Sequence, residues 1–480
     1  MKGFFTMNKK RILSLILACV LASGTALFTS CNDNNDNDGK GAGKSDLNEL
    51  LGIPEELSGN GETFDIFLGY NQFDSDFVVE EETGDTIKDI IYGRNLATEE
   101  RFDIDLQFRK GDSSNNTASA TIRSLIQGGD DTYEVFVNVQ HVGIPLIYED
   151  LFVDWKTSMP YANLDQPWWY QNVERDLNFS DKVYVTAGAY NFHCLKASGG
   201  LTFNKTLMDE LGLEYPYELV REGKWTVDEF IKYNKAAQKD LNGDGAIDYE
   251  NDRLGFAGWK YENVPALFVG MGGQPVSKDE NDLPTLNINN ERTFSILDKM
   301  IEVFTAGNGS WSNGKVYGVD GTMFKEGRLL FKGNTILGLP ELRSLEDDFG
   351  IVPYPKLNEE QESYYARITN FSSLTYIPVT NAKLDLTSAV LEYMAYLSDR
   401  DLIPAYYDVI LTVRTTRDTE SEEMIDIIRK NARFLDENYL SSNVLINITE
   451  SGQNTLSSNY ASFGDSWNEK LNEIVAFWSK

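Results

Sequence analysis

One acidic segment of the chain carries the residue types and spacing of a calcium-binding loop. Oxygen-bearing side chains stand at positions 1, 3, 5 and 9, glycine at position 6 and an apolar residue at position 8. The EF-hand loop has this pattern because Ca2+ takes about six to eight oxygen ligands in a tight turn. Its twelfth position should hold an acid, but Asn251 stands there, so a neighbouring acid must close the site. The predicted ligands are Asp240, Asn242, Asp244, Ala246, Asp248, Glu250 and Asp252.

The alternative interpretation of this segment is a turn that holds no metal. Asn242-Gly243 and Asp244-Gly245 are dipeptides that form turns without an ion. Under either interpretation the segment has a structural role. The expected cofactor is therefore one structural Ca2+, or none.

A second set of residues has the chemistry to bind a sugar. Aromatic faces stack on the C–H face of a pyranose ring, and amides or carboxylates bind its hydroxyls. With eight tryptophans and 24 tyrosines, most aromatic residues must belong to cores, so we select those that follow predicted strands or lie in polar loops. Arg367 has two interpretations, a contact to a charged solute or a partner for a nearby acid. The predicted ligand-binding residues are Tyr70, Asn71, Asn138, Gln140, Trp259 and Trp311.

The amino-terminal segment has the form of an export leader. Basic residues at 9–11 precede an apolar run over 12–22, which is too short to span a bilayer core that needs about 20 residues. The segment resembles bacterial lipoprotein signals, although Phe28 replaces their usual aliphatic residue before the modified Cys31. This resemblance predicts a signal peptide over residues 1–30, a lipid anchor at Cys31 and a flexible tether over 31–60. The protein would then lie on the outer face of a bacterial cell membrane.

Charge and cysteine content restrict the classes of partner and of catalysis. The formal net charge is −32, so nucleic acid and anionic head groups are poor partners. Once Cys31 is acylated and Cys19 removed with the leader, only Cys194 remains, which excludes an internal disulfide. His193 and Cys194 are sequence neighbours and are not expected to form a nucleophile–base pair, because adjacent side chains rarely face each other.

Strands and helices alternate along the chain, which indicates an α/β fold. Strand patterns over 63–70, 103–108 and 133–137 are separated by helical patterns over 86–100 and around 122–126. Such alternation is typical of a mostly parallel sheet covered by helices, with ligands at the strand ends. Further on, a strand at 201–203 and a helix at 290–304 are predicted, and Thr226 with Glu229 predicts a capping box. Strand patterns follow at 349–353 and 371–377, and the chain is mainly helical after 385.

Five segments of the chain stand in a distinctive order: Gly84–Phe102, Gly200–Leu213, Trp225–Phe230, Met323–Arg328 and Phe349–Pro355. Together they resemble the sugar-type extracellular solute-binding proteins of ABC importers. The order of these segments, more than any one of them, carries the resemblance. In a bacterial branch of this family the first helix is similar to Gly84–Phe102, and a strand-Asn-Lys-helix crossing is similar to Gly200–Leu213.

The resemblance implies a type 2 periplasmic-binding-protein fold, in which two α/β lobes are joined by hinge crossings. Lobe 1 would comprise residues 61–199 and a return over 359–412, and lobe 2 would comprise 200–358. The C-terminal helices over 413–480 would lie mainly on lobe 2. The implied function is a monomeric receptor that closes on a small solute, expected to be a mono- or oligosaccharide, and presents it to the membrane permease of an ABC importer.

Two other classes of function remain open on the sequence. A secreted carbohydrate-active enzyme would need two carboxylates flanking the scissile bond, and 75 acidic residues supply many pairs. The sequence has no nucleophile elbow, zinc-helix motif or glycine-rich phosphate loop, so we expect no catalytic residue. The third class is a surface interaction protein that takes no part in transport.

Overall fold

The computed structural model describes residues 44–70, 73–111, 115–305, 307–313, 318–411, 419–435 and 442–480. The chain divides into two compact units, Met1–Leu47 and Asn48–Lys480. The described part of the first unit is the beginning of helix α1, Lys44–Leu51. The predicted signal peptide, Cys31 and the first part of the tether lie outside the described residues. The second unit contains two lobes, each organised around a β-sheet.

Lobe 1 contains a four-stranded sheet. Its strands are β1 Glu62–Leu68, β2 Ile104–Lys110, β3 Val135–Val139 and β12 Ser373–Tyr376. The strand order is β12–β3–β1–β2, with β1 parallel to β2 and β3, and β12 antiparallel to β3. All of β3 and the last five residues of β1 are buried. Central strands covered on both faces read as apolar runs, which is why these two were visible in the sequence.

Helices cover this sheet and follow the predicted alternation. The helix predicted at 86–100 is confirmed, and it begins where the Asp85 side chain accepts hydrogen bonds from the backbone amides of Ile87 and Lys88. It ends at Asp103, whose left-handed backbone terminates the helix. The helices before the first crossing are α2 Asp74–Phe77, α3 Thr86–Phe102, α4 Asn115–Gln127, α5 Gln140–Ile147, α6 Trp155–Ser158, α7 Gln171–Leu177 and α8 His193–Lys196. After β12 come α15 Leu384–Leu397, a π-helical turn Ser398–Leu402 and α16 Ile403–Leu411.

Lobe 2 contains a five-stranded mixed sheet. Its strands are β4 Gly199–Asn204, β5 Leu254–Trp259, β8 Ser310–Asn313, β9 Leu329–Thr335 and β10 Phe349–Val352. The order is β10–β4–β9–β5–β8, in which β5 is parallel to β8 and β9, and β4 is antiparallel to β9 and β10. The carboxyl ends of β5 and β9 therefore meet at one edge of the sheet.

In lobe 2 the structure shows a side-chain cap that was not predicted, and the one predicted capping box is wrong. Asn204 caps the helix after β4 through a hydrogen bond from the backbone amide of Leu207. Thr226 begins its helix, but its side chain accepts no capping hydrogen bond. The predicted capping box is therefore absent. The elements are α9 Lys205–Leu211, α10 Tyr217–Arg221, α11 Val227–Ala237, α12 Lys260–Gly270, hairpin strands β6 Val276–Lys278 and β7 Pro284–Leu286, α13 Glu291–Val303, α14 Val319–Lys325 and a 3-10 helix Ile336–Ser344.

The lobes are connected by short crossing segments. Strand β11 Ala366–Ile368 pairs in parallel with β13 Ala432–Phe434, and Ile368 also bridges Ser198 at the start of the first crossing. These segments place three passages of the chain side by side between the sheets. Such a narrow connection is the geometry in which two lobes move about a hinge.

The last helices lie on both lobes. They are α17 Thr419–Lys430, α18 Ser442–Ser451 and α19 Leu456–Trp478. Helix α17 packs on β10, and Glu450 of α18 pairs with Lys260, so both helices lie on lobe 2. Trp478 at the end of α19 is fully buried, with its ring 5.3 Å from that of Phe179 in lobe 1. None of the helices in the described ranges is long and apolar enough to cross a bilayer.

Candidate functional site

A cavity of about 630 Å³ lies between the two lobes. Lobe 1 and the hinge contribute residues after β1, in α8 and around β11, while lobe 2 contributes the ends of β5 and β9 and the helices α12 and α14. Ligand sites in α/β proteins gather at such strand ends. A volume of this size admits a small organic molecule such as a sugar of one to a few rings.

Aromatic rings from both lobes line the cavity. From lobe 1, Tyr70 lies 5.6 Å from Phe73 and 6.3 Å from Phe371 between ring centroids. From lobe 2, Trp259 borders the cavity and lies 5.3 Å from the ring of Tyr261. The cavity therefore has apolar ring faces on opposite lobes, which can contact the two sides of a flat solute.

Charged groups at the cavity are arranged as pairs. Arg367 Nη1 lies 2.9 Å from Glu262 Oε2, and Lys332 Nζ lies 3.5 Å from Asp320 Oδ2. The sequence left two roles open for Arg367, and the structure supplies the acidic partner. Both pairs belong to residues that border the cavity, so they can also orient polar groups of a solute.

A buried polar network holds the hinge-proximal wall of the cavity. Asp76 is fully buried; its Oδ1 lies 2.8 Å from Lys196 Nζ and its Oδ2 accepts a hydrogen bond from the backbone amide of His193. Arg94 donates to the backbone carbonyl of Asp76 at 3.0 Å. Burial lowers the pKa of Arg94 to about 10, opposed by the nearby Asp76 charge. The network fixes α8, which carries His193 at the cavity wall.

The structure separates the predicted ligand-binding residues into groups. Tyr70 and Trp259 border the cavity. Asn138 and Gln140 are buried: Asn138 Oδ1 accepts from the backbone amide of Val139, and Gln140 Nε2 donates to the carbonyl of Leu435. Neither is among the residues that line the cavity. The two remaining predicted positions are Asn71, which lies outside the described residues, and Trp311.

Trp311 belongs to a different surface. Its ring stacks on that of Tyr249 at 4.2 Å with an interplanar angle of 28°, beside the predicted calcium loop and not among the cavity residues. The tryptophan pair Trp168 and Trp169, by contrast, is buried in lobe 1 as a packed segment.

Sequence reasoning missed several cavity residues. Asn334 is the next-to-last residue of β9, so the rule that polar residues at strand ends bind ligands should have selected it. Glu262 lies in the first turn of α12, just after a selected strand end. His193 was considered only as a base for Cys194. Cys194 itself is buried, and burial raises the pKa of its thiol, which disfavours a nucleophilic role.

Carboxylates of the predicted calcium loop accept hydrogen bonds from the loop's own backbone amides. Asp240 accepts hydrogen bonds from the amides of Gly243 and Gly245, at 2.6 and 2.9 Å, and Asp252 accepts from those of Leu241 and Asp248, both at 2.9 Å. These bonds lower the pKa of the Asp252 carboxyl. In the described ranges, no three His, Cys, Asp or Glu side chains are grouped so as to hold a metal ion. Calcium binding would require these carboxylates to turn towards one point.

Comparison with known proteins relates the chain to a family of receptors. Residues 80–327 match the family model of the bacterial extracellular solute-binding proteins. No curated protein matches the sequence.

Three solved structures illustrate the structural similarity. An ABC substrate-binding protein of Listeria monocytogenes in complex with cycloalternan is 12% identical, covering 86% of this chain and 97% of its own, with a TM-score of 0.53. The GacH receptor of Streptomyces glaucescens, solved with acarbose, is 13% identical over 87% and 99%, also with a TM-score of 0.53. A solute-binding protein of Thermotoga lettingae bound with α-D-tagatose is 12% identical over 86% and 100%, again with a TM-score of 0.53. The predicted two-lobe α/β fold is confirmed.

Proposed function

This chain belongs to the family of bacterial extracellular solute-binding proteins, and we propose that it captures a carbohydrate between its lobes and delivers it to the permease of an ABC importer. The cavity of about 630 Å³ carries this proposal. Its aromatic faces on opposite lobes, Tyr70 and Trp259, suit the C–H faces of a sugar ring. Its polar groups suit the hydroxyls. Proteins of the same fold have been solved with cycloalternan, acarbose and tagatose.

Delivery would depend on closure of the lobes about the crossing segments. A solute that contacts both walls of the cavity stabilises the closed state relative to the open one, because it makes its contacts to both walls at once only when the lobes approach each other. The permease would then recognise the closed form. No step in this cycle changes the solute chemically.

We propose that the receptor is held at the outer face of the cell membrane by lipid at Cys31. The leader supports this, since Cys31 follows a basic, apolar and then small-residue sequence. Metabolic labelling with a radioactive fatty acid should mark the wild-type protein, and Cys31→Ser should abolish both the label and the membrane association. Labelling that persists in Cys31→Ser would contradict the anchor.

The function is tested by titrating the exported protein, purified from the cell envelope, with glucose, maltotriose, cellotriose and xylotriose. We expect at least one saccharide to bind with a tryptophan fluorescence change and to reduce the radius of gyration measured by X-ray scattering. Chromatography of the recovered saccharide should show no new product, and light scattering should give the mass of a monomer. Turnover of the saccharide would favour the enzyme class, and absence of binding to every sugar would oppose the receptor.

We also propose that the segment 240–252 binds one Ca2+. The order of its oxygen-bearing residues supports the site, and either Glu250 or Asp252, which flank Asn251, would turn inwards to supply the closing carboxylate. Calcium should raise the melting temperature of the wild-type protein and should not raise that of Asp240→Asn. The exposed acid Glu280 provides the matched control, because Glu280→Gln lies outside the loop and should keep the calcium response.

A further inference from the structure

His193 is a buried side chain at the wall of the cavity. It is only 3% exposed, yet it borders the cavity between the lobes. Neither of its ring nitrogens has a hydrogen-bond partner among the described residues. Its ring makes a T-shaped contact with that of Phe73, at 5.2 Å between centroids, and the phenyl ring has no polar atom to pair with a ring nitrogen.

A buried imidazole without hydrogen-bond partners destabilises the folded protein unless another group supplies those partners. Buried polar groups in folded proteins nearly always have partners, so each exception calls for a cause. Here the surroundings impose the position, because the His193 backbone amide is held by Asp76 and the same carboxylate holds Lys196 in the next turn. The backbone at His193 is therefore fixed beside the cavity, and the cavity is the open space from which a partner can reach the ring.

Asn334 presents a similar group from lobe 2. Its Oδ1 accepts a hydrogen bond from the backbone amide of Thr335, while its Nδ2 is buried and without a partner among the described residues. Gly338 lies so close that a Cβ there would meet Asn334 Oδ1 at 2.2 Å, so the amide is confined. Each lobe therefore contributes to this cavity a polar group without a partner among the described residues.

We propose that His193 is a solute-contacting residue that determines specificity by hydrogen bonding to an uncharged hydroxyl of the bound carbohydrate. This inference rests on the proposed function and names the chemistry of one contact within it. A neutral imidazole has one donor and one acceptor, and a sugar hydroxyl matches it because it both donates and accepts.

The charges around the site favour a neutral solute over an anionic one at this position. Burial lowers the pKa of His193 to about 4, so the ring is neutral at physiological pH. The nearby ammonium of Lys196 is paired with Asp76, and Arg367 with Glu262. A carboxylate or phosphate would find no uncompensated buried cation in these two pairs.

The experiment compares three variants against the saccharide that the wild-type protein binds best among glucose, maltotriose, cellotriose and xylotriose. His193→Phe should weaken binding about tenfold or more, with a melting temperature equal to or above that of wild type, because an unsatisfied polar group is removed. His193→Gln, which restores a donor and an acceptor, should recover part of the affinity. Tyr406→Phe is the matched control, since it also removes a buried polar group without a described partner, in this case a hydroxyl, but Tyr406 lies outside the cavity, and the affinity of this variant should be unchanged.

Comparing parent and deoxy sugars in both the wild type and His193→Phe identifies the hydroxyl that His193 contacts. The deoxy analogue that lacks the contacted hydroxyl should bind wild type more weakly than the parent sugar, and should lose little further affinity in His193→Phe. His193→Phe that binds every sugar as wild type does would overturn the inference while leaving the receptor function intact. Failure of the wild type to bind any saccharide would overturn both.

Discussion

Arg367 and Glu262 form an ion pair that links the hinge to lobe 2 at the cavity. The guanidinium Nη1 lies 2.9 Å from the carboxylate Oε2, with the arginine side chain 3% exposed and the glutamate 42% exposed. Arg367 lies in β11, which pairs with β13 between the lobes, whereas Glu262 lies in the first turn of α12. The pair therefore couples a crossing strand to the wall that bears Trp259.

Glu262→Gln should loosen this link. The neutral amide keeps the shape of the side chain but loses the charge, so we expect the unfolding free energy to fall by about 1 kcal/mol, since the glutamate is partly exposed. Solute affinity should also fall, because the cavity wall is less constrained. Chemical denaturation and calorimetric titration measure the two effects, with the exposed Glu280→Gln as control. Unchanged stability and affinity in Glu262→Gln would show that the pair has no such role.

Asp76→Asn should lower the free energy of unfolding far more than Asp74→Asn, the same change two residues away. It leaves Lys196 as a buried charge without its carboxylate, and breaking a buried ion pair in this way costs about 3–5 kcal/mol. Asp74 pairs with the half-exposed Lys110, so Asp74→Asn should cost about 1 kcal/mol or less. Urea denaturation of both variants provides the comparison. Equal losses in the two would mean that the Asp76 network does not hold α8.

The contrast between these two aspartates shows what the sequence could and could not predict. Apolar runs identified β1 and β3, because both strands are buried over five successive residues. The same reasoning could not identify Asp76 or His193, since their roles depend on a contact between two residues that are 117 positions apart in the chain. Tyr70 and Trp259 were found because they lie at or just beyond the ends of strands, whereas Asn138, near the end of β3, was selected by the same rule but is buried away from the cavity. Which side of a strand end faces the cavity is set by the packing of the two lobes, and a single sequence does not contain that information in local form.

Glu392 should make stability depend on pH. The carboxylate is 1% exposed and accepts hydrogen bonds from the indole nitrogens of Trp168 and Trp169, at 3.0 and 2.7 Å. Burial nevertheless raises its pKa from 4.5 to about 7, despite the opposing effect of these bonds. Between these two values the folded protein binds a proton that the unfolded chain has lost, so stability falls as pH rises through this window.

Glu392→Gln should remove this dependence. The amide does not titrate, so its unfolding free energy relative to wild type should rise between pH 4.5 and 7, by roughly 2 kcal/mol. Denaturation measured across this range tests the slope, and Glu100→Gln on an exposed turn of α3 is the control. A slope that stays the same in Glu392→Gln would assign the pH dependence to another group.

Trp259 and Trp311 should respond differently to a bound solute, although the sequence suggested the same role for both. Trp259 borders the cavity, whereas Trp311 stacks on Tyr249 outside it. Trp259→Ala removes the aromatic face of lobe 2 and should weaken saccharide binding by about 1–2 kcal/mol, roughly tenfold. Trp259→Phe keeps a ring, so it should retain most of the affinity while losing the tryptophan fluorescence change. Trp311→Phe should keep both the affinity for the saccharide and the tryptophan fluorescence change. A fluorescence change that disappears in Trp311→Phe and persists in Trp259→Phe would place the solute beside the acidic loop and not between the lobes.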